Sequence, residues 1–246
     1  MIVRLLLAAL AAGLIAGMAM TPAQYAKVVP LILHAESYEN GDAAGHDHGV
    51  SETASAVESA DHDHVAPDLG DEESLLGFGR LGNTILANLV AGCGFALMLA
   101  AVALLSGVEF PKGREGVVRG VLLGAAGWFS VQMAPAFSLP PELPGFPYAD
   151  LFARQSWWMI TVALSAAGVW LIAVRREWVL NLAGVVLIVA PHVWGAPQPD
   201  DISSDLPALL AAEYASAALA TTLFFWLLLG GLLGSFLSRV PEEHTA

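Results

Sequence analysis

The fold of this chain is decided by residues 81–108, which read LGNTILANLVAGCGFALMLAAVALLSGV. This run contains no Asp, Glu, Lys or Arg. A helix needs only about 20 apolar residues to cross the roughly 30 Å of membrane hydrocarbon. The small residues Ala91, Gly92 and Gly94 would let a neighbouring helix approach closely, as in membrane bundles. The run therefore predicts a membrane-spanning helix.

Apolar runs of similar character lie on both sides of this one, at residues 2–33, 117–137, 152–174, 178–194 and 206–237. Only 13% of the 246 residues are charged, whereas a soluble domain carries about a quarter. We therefore expect an all-α fold, a polytopic membrane helix bundle of about six transmembrane helices. The run at 178–194 is short for a span, so five spans are the alternative.

The first apolar run also has features of a signal peptide. Arg4 followed by Leu, Ala and Gly resembles such a leader, and residues 21–26 resemble a cleavage region. We favour an uncleaved helix, because the hydrophobic stretch continues to residue 33. Pro22 and Pro30 are expected to kink or end this helix, since proline removes a backbone hydrogen bond.

The basic residues predict the orientation of the spans, because Lys and Arg concentrate on the cytoplasmic side of a membrane. With six spans and a cytoplasmic N-terminus, seven of the ten bases fall inside, namely Arg4, Lys112, Arg114, Arg119, Arg175, Arg176 and Arg239. The three that fall outside are Lys27, Arg80 and Arg154. Both termini are therefore predicted to be cytoplasmic, and the polar segment that begins at residue 34 extracytoplasmic.

Residues 34–73 form the one long polar segment of the sequence. It holds twelve of the 23 acidic residues, five of the seven histidines and no Lys or Arg. Elsewhere eleven acids are balanced by ten bases, so the net charge of −13 comes almost wholly from this segment. Such an anionic segment attracts cations and repels nucleic acid, which excludes nucleic-acid binding. Its Ala, Gly and Ser residues provide little apolar bulk, so we expect a disordered loop in the absence of metal.

Two clusters in this loop alternate imidazole and carboxylate, HDH at residues 46–48 and DHDH at residues 61–64. Ligands of these types suit Zn, Ni, Co or Cu ions. The candidate metal ligands of the whole chain are His34, Glu36, Glu39, His46, Asp47, His48, Asp61, His62, Asp63, His64 and His192. The simpler interpretation is a solvated acidic loop that holds no metal.

A second group of polar residues maps to the outer third of the predicted helices. Its supporting members are Gln132, Arg154, Gln155 and Glu213. Polar groups within spans usually face the bundle interior or a water-filled cavity, so the group indicates an outer vestibule. Anchoring of helices at the interface is the alternative. His192 follows Pro191, which frees a backbone carbonyl in a short helix. Arg154 is expected to pair with a carboxylate such as Glu36, Asp150 or Glu213.

No catalytic constellation is present, because the sequence lacks HExxH, GxSxG and Walker A motifs. We therefore predict no catalytic residues, no tightly bound cofactor and no enzymatic activity. The single cysteine, Cys93, excludes an internal disulfide. Its place inside an apolar run favours a packing role over metal binding.

Five motifs resemble the CbtA family of predicted cobalt transporter subunits. They are RLLLAALAAG at residues 4–13, PLILHAESYE at 30–39, PPELPG at 140–145, ARQSWW at 153–158 and APHVWGAPQP at 190–199. The last motif is the most specific, and together the five extend over nearly the whole chain. The resemblance implies a bacterial inner-membrane protein for cobalt uptake linked to cobalamin supply. It also implies a small single-span partner, CbtB, with a His-bearing terminus, and a family usually described with five spans.

The leading hypothesis is a transition-metal permease subunit for Co²⁺, with Ni²⁺ and Zn²⁺ as alternative cargoes. The expected organisation is a first transmembrane helix at 1–33, a His/Asp/Glu-rich extracytoplasmic loop at 34–80, a five-helix bundle at 81–238 and a polar tail at 239–246. The loop would capture the cation, and Glu36, Glu39 and His192 would accept it. The expected partners are the lipid bilayer, a second copy of this chain and a small CbtB-like protein. A membrane metal-binding protein without transport, either a sensor or a periplasmic buffer, is the competing class.

Overall fold

A computed structural model of the chain describes residues 2–44, 79–175, 177–204 and 206–239, with the backbone only at 39–44. Every regular element in these ranges is helical. The helices are α1 Ile2–Lys27, α2 Val29–Ala44, α3 Gly79–Leu105, α4 Arg114–Ala136, α5 Leu151–Val174, α6 Trp178–Trp194 and α7 Ala208–Leu237. Of these, α1, α3, α4, α5 and α7 are long and apolar enough to cross a membrane. The prediction of an all-α polytopic bundle is confirmed.

The short run at 178–194 is helix α6, a largely apolar helix of 17 residues. It lies antiparallel to α5, because Gly168 faces Gly184 and Ile188, while Ile172 faces Gly184. At 1.5 Å per residue α6 is about 26 Å long, slightly less than the hydrocarbon thickness. The bundle therefore contains five full-length candidate spans and one shorter helix that packs along its neighbour.

The first hydrophobic stretch forms two consecutive helices. Pro22 lies inside α1 without ending it, and the break falls at Val28, two residues before Pro30. Pro30 has no N–H to donate to the carbonyl of residue 26, so the ladder of helical hydrogen bonds is interrupted here. The chain becomes helical again from Val29 and continues through Ala44, so residues 34–44 of the predicted loop are helical.

Proline also affects α4, which contains Pro135 near its end. The helix is continuous over Arg114–Ala136 and contains a π-helical turn, Phe129–Met133. Pro135 cannot donate to the carbonyl four residues earlier, and the wider turn before it accommodates this missing bond.

Three antiparallel helix pairs meet backbone to backbone at glycines. The contacting pairs are Gly13 with Gly92 between α1 and α3, Gly120 with Gly230 between α4 and α7, and Gly168 with Gly184 between α5 and α6. A Cβ atom at any of these positions would clash with a carbonyl oxygen of the partner glycine. Membrane helices use small residues in this way, because lipid provides no hydrophobic force to bring them together.

The outer surface of the bundle is apolar along the helices. Leu122, Met159 and Val186 are 63%, 64% and 57% exposed, and each lies within a different helix. The buried core at the centre instead combines Trp226 and Leu229 with alanines of α1 and α3. Large exposed apolar side chains around a packed interior are the pattern of a protein surrounded by lipid.

Candidate functional site

Helices α2, α4 and α6 finish at one end of the bundle, where α3, α5 and α7 begin; we term this the loop end. A small hydrophobic cluster of Ala35, Leu143, Leu206 and Leu210 packs three segments together. They are α2, the Pro-rich segment after α4 (residues 139–147), and the start of α7. Each of the three segments carries an acidic residue close to the cluster in sequence. Glu36 follows Ala35, Glu142 precedes Leu143, and Glu213 lies three residues after Leu210. Packing therefore brings the acids of distant sequence segments to the loop end.

Glu36 is held by an arginine on the neighbouring helix. One terminal nitrogen of Arg80 lies 3.0 Å from Oε1 and 3.2 Å from Oε2 of Glu36. Both side chains are about one-third exposed, at 35% for Arg80 and 33% for Glu36. This ion pair links α2 to the first turn of α3 across the segment 45–78.

Arg154 near the start of α5 pairs with Glu142 of the Pro-rich segment. Its guanidinium also stacks 5.0 Å from the ring centre of Tyr148, and the Tyr148 hydroxyl donates to the carbonyl of Leu143 at 3.0 Å. Arg154 thus pairs with a carboxylate as predicted, but the partner is Glu142 and not one of the three acids named as examples. Asp150 instead caps α5 by accepting from the Ala153 N–H at 2.9 Å, which commits its carboxylate to the helix N-terminus.

His192 is oriented by residues from two other segments. Its Nδ1 lies 2.8 Å from Ser138 Oγ, just after α4. The rings of Phe137 and Trp157 meet the imidazole edge to face, with centroids 5.4 and 5.8 Å away. When Nδ1 carries the proton it donates to Ser138, and Nε2 then keeps the lone pair that a metal requires.

Two cavities of about 250 Å³ each adjoin these groups. One is lined by Gln132, Glu142, Arg154 and Trp158, and the other includes Ser138 and Glu142. Glu142 therefore faces both cavities while it pairs with Arg154. The Nε1 atom of Trp157 is buried beside His192 and has no hydrogen-bond partner within the described residues.

The other predicted site residues do not join these contacts. His34 is exposed with its ring 5.5 Å from that of Tyr38, and Gln155 and Glu213 are exposed. The Glu39 side chain lies outside the described residues, as do His46, Asp47, His48, Asp61, His62, Asp63 and His64. Within the described ranges, no group of three His, Cys, Asp or Glu side chains is placed to hold a metal ion.

Polar residues in the interior of the membrane region form helix contacts. Asn88 of α3 donates to Gln24 at 2.7 Å and to Thr21 at 3.1 Å, both on α1. A hydrogen bond of this kind between membrane helices contributes on the order of 1 kcal/mol. Gln24 is thus engaged in α1–α3 packing.

The sequence does not single out Ser138, Arg80 or Glu142 as site residues. Two signals point toward Glu142: it lies in the motif PPELPG, and Arg154 lies in the motif ARQSWW. PPELPG follows α4, and ARQSWW lies at the start of α5, so both motifs are at the loop end. The pairing of Ser138 with His192 has no such signal, since 54 residues separate them.

Comparison with protein-family models matches residues 2–238 to a family described as "Probable cobalt transporter subunit (CbtA)". The chain belongs to the CbtA family. No curated protein and no solved structure matches the chain. The resemblance of the five motifs is thereby confirmed, and it extends from α1 to the end of α7. Together with its apolar helices, the CbtA match makes this chain a multi-pass membrane protein of a transporter-subunit family.

Proposed function

We propose that this chain is the membrane-embedded component of an uptake permease for Co²⁺. The observation that carries the proposal is the match to the CbtA family over residues 2–238. The bundle supports it with an oriented imidazole at one end and with one acid, Glu142, that lines two small cavities. The cation is the cargo, and the acceptor groups belong to the loop end.

His192 is the proposed acceptor at the entrance to the bundle. A metal ligand needs a fixed ring and a free nitrogen, and the partner on the other nitrogen commonly orients it. Ser138 and the two aromatic rings meet the first requirement. The N–H of Trp157 has no hydrogen-bond partner among the described residues and lies next to the imidazole, and a water molecule there would recover a desolvation cost of about 1–3 kcal/mol.

Glu36 and Glu142 are the proposed carboxylate acceptors, and each is paired with an arginine. An arginine beside a carboxylate supplies the opposite charge. We infer that a divalent cation replaces the arginine as the counter-ion, so that a charged carboxylate is never left unpaired in the membrane. The two ion pairs would then open as the ion arrives and close after it has passed.

The histidine-rich segment 45–78 has a separate proposed role in capture. Its negative charge attracts divalent cations, and its carboxylate and imidazole groups are suitable ligands for transition-metal ions. Ligands in local clusters on a polar segment raise the ion concentration near the bundle without forming the passage itself. Glu39 and His34 of α2 lie close to Glu36 along the chain, at the approach to this segment.

The proposed setting is the bacterial inner membrane, with both termini cytoplasmic, α6 crossing as a sixth span and the loop end periplasmic. The excess of Lys and Arg at the opposite end supports this orientation. The family description calls its members subunits, which supports a partner. We propose a small single-span CbtB-like protein for that role, within a system that supplies cobalt for cobalamin.

Uptake of radiolabelled Co²⁺ in a metal-import-deficient strain tests the proposal. Cells that express the chain together with its single-span partner should accumulate Co²⁺ above empty-vector cells, and Ni²⁺ and Zn²⁺ should compete less effectively. If the protein is present in the membrane and binds Co²⁺, but the cells accumulate no Co²⁺ either with or without the partner, the protein would instead be a buffer or a sensor.

A further inference from the structure

A larger cavity, of about 560 Å³, lies at the end of the bundle opposite the loop end. It is formed where α4 begins and α7 finishes. Its lining consists of Lys112, Gly113, Val117, Ser235, Ser238 and Arg239, and we term it the basic cavity. Two cations and two hydroxyl groups thus converge on one space, and no carboxylate from the described chain contributes to the lining.

The two cations of the basic cavity have no counter-ion among the described residues. Arg80, Arg119 and Arg154 each pair with a glutamate, whereas Lys112 and Arg239 make no ion pair with any described residue. The nearby carboxylate of Glu115 is engaged by Arg119 at 2.6 Å, in an exposed pair. The described lining of the cavity is therefore positively charged, and the hydroxyl of Ser235 adds a hydrogen-bond donor.

The first turn of α4 adds to this field. Gly113 is the residue before the helix, and no side chain of the described residues caps the backbone N–H groups that follow it. Uncapped N–H groups at a helix start carry partial positive charge and hydrogen-bond anions such as phosphate.

The depth of the basic cavity fits the phosphate layer of a bilayer. The backbone of Gly116 packs against the Ser238 side chain, and one turn further in Gly120 meets Gly230 and Gly234. The apolar packing of α4 on α7 therefore begins directly beside the cavity. Phospholipid phosphates lie at this boundary between hydrocarbon and water.

We propose that the basic cavity is a binding site for a phosphate-bearing anion, held between Lys112 and Arg239 and by the start of α4. Two sources present this chemistry at this depth, the headgroup of an anionic phospholipid and free phosphate. Its lining residues differ in charge from the acidic loop end, where the proposed function places the groups that accept the cation. A bound phosphate would join α4 to α7 at the end where glycine contacts hold these helices together.

Native mass spectrometry of the full chain in detergent tests the site with short-chain phosphatidylglycerol and, for comparison, phosphatidylcholine. Phosphatidylglycerol should bind more tightly, and the double variant Lys112→Gln/Arg239→Gln should weaken its binding by about tenfold. The charge-preserving variant Lys112→Arg/Arg239→Lys should retain binding. Both positions are exposed, so these variants leave the packing of the bundle unchanged.

Arg114→Gln is the matched control, because Arg114 is exposed at the same helix start but does not line the cavity. It should leave phosphatidylglycerol binding within about twofold of the parent chain. Added inorganic phosphate identifies the source: displacement of the lipid supports free phosphate, and continued lipid binding supports the headgroup. Equal losses in Arg114→Gln and in the double variant, or no loss in the double variant, would overturn the proposal.

Discussion

Ser138 Oγ lies 2.8 Å from Nδ1 of His192, so a residue just after α4 orients a ring near the end of α6. The rings of Phe137 and Trp157 also contact the imidazole, in edge-to-face geometry. A peripheral helix, α6, is thereby coupled to the segment that carries Glu142. This contact leads to the first prediction.

Ser138→Ala should lower the maximal rate of Co²⁺ uptake by about tenfold, because removal of an orienting partner weakens a metal ligand by such a factor. Ser138→Thr keeps a hydroxyl and should retain most of the rate. Ser216→Ala is the control, since the Ser216 hydroxyl donates only to the carbonyl of Ala212 within α7. Equal rates for Ser138→Ala and Ser216→Ala, at matched protein abundance, would show that Ser138 has no role in transport.

Deletion of residues 41–70 should raise the Co²⁺ concentration that gives half-maximal uptake and leave the maximal rate largely intact. A capture segment matters when the ion is scarce, whereas a pathway residue acts at every concentration.

His192→Ala should lower the maximal rate of Co²⁺ uptake itself, because His192 is proposed as a pathway residue. Uptake measured across a range of Co²⁺ concentrations separates the two effects. A wild-type maximal rate in His192→Ala would assign the imidazole to packing.

A peptide of residues 40–70 should bind Co²⁺, Ni²⁺ or Zn²⁺, with affinity that falls as the pH drops. Metal binds neutral imidazole, and a solvated imidazole is protonated below a pH of about 6.5. Metal binding should therefore be lost as the pH falls below this value. Calorimetry should show the binding abolished when His46, His48, His62 and His64 are changed to Ala. Identical heats for the two peptides would exclude these histidines as ligands.

Gly120→Leu should destabilise the bundle by about 1–3 kcal/mol or more, because its side chain would meet the backbone of Gly230 and Gly234. Gly94→Leu is the control, since a Cβ at Gly94 has no atom within 4 Å. Thermal unfolding in detergent, followed by the loss of the monodisperse species, measures both. A Tm for Gly120→Leu equal to that of Gly94→Leu would contradict the close approach of α4 and α7.

A reporter fused after residue 246 should behave as cytoplasmic, and a reporter inserted between residues 42 and 68 as extracytoplasmic. The reason is the seven-to-three distribution of Lys and Arg between the two ends. Alkaline phosphatase and green fluorescent protein fusions give opposite signals on the two sides. An extracytoplasmic C-terminus would show that α6 does not cross the membrane.

The apolar runs predicted the helices well, because crossing a membrane depends on the local hydropathy of about 20 residues. The run at 81–108 became α3, Gly79–Leu105, and the run at 152–174 became α5, Leu151–Val174. Proline was less informative. Pro22 lies within α1, and Pro135 is accommodated by a π-helical turn, since neighbouring helices stabilise a local irregularity that sequence alone suggests is a break.

By itself, the sequence determined that this is an all-α membrane bundle with an acidic, histidine-rich segment, since hydropathy and charge are properties of contiguous residues. Only the tertiary structure decided which polar groups meet. Arg154 pairs with Glu142 rather than with Glu36, Asp150 or Glu213, and Glu36 pairs with Arg80. The physical reason is that side-chain pairing depends on helix rotation and on close glycine contacts between helices, which set distances between residues far apart in the chain.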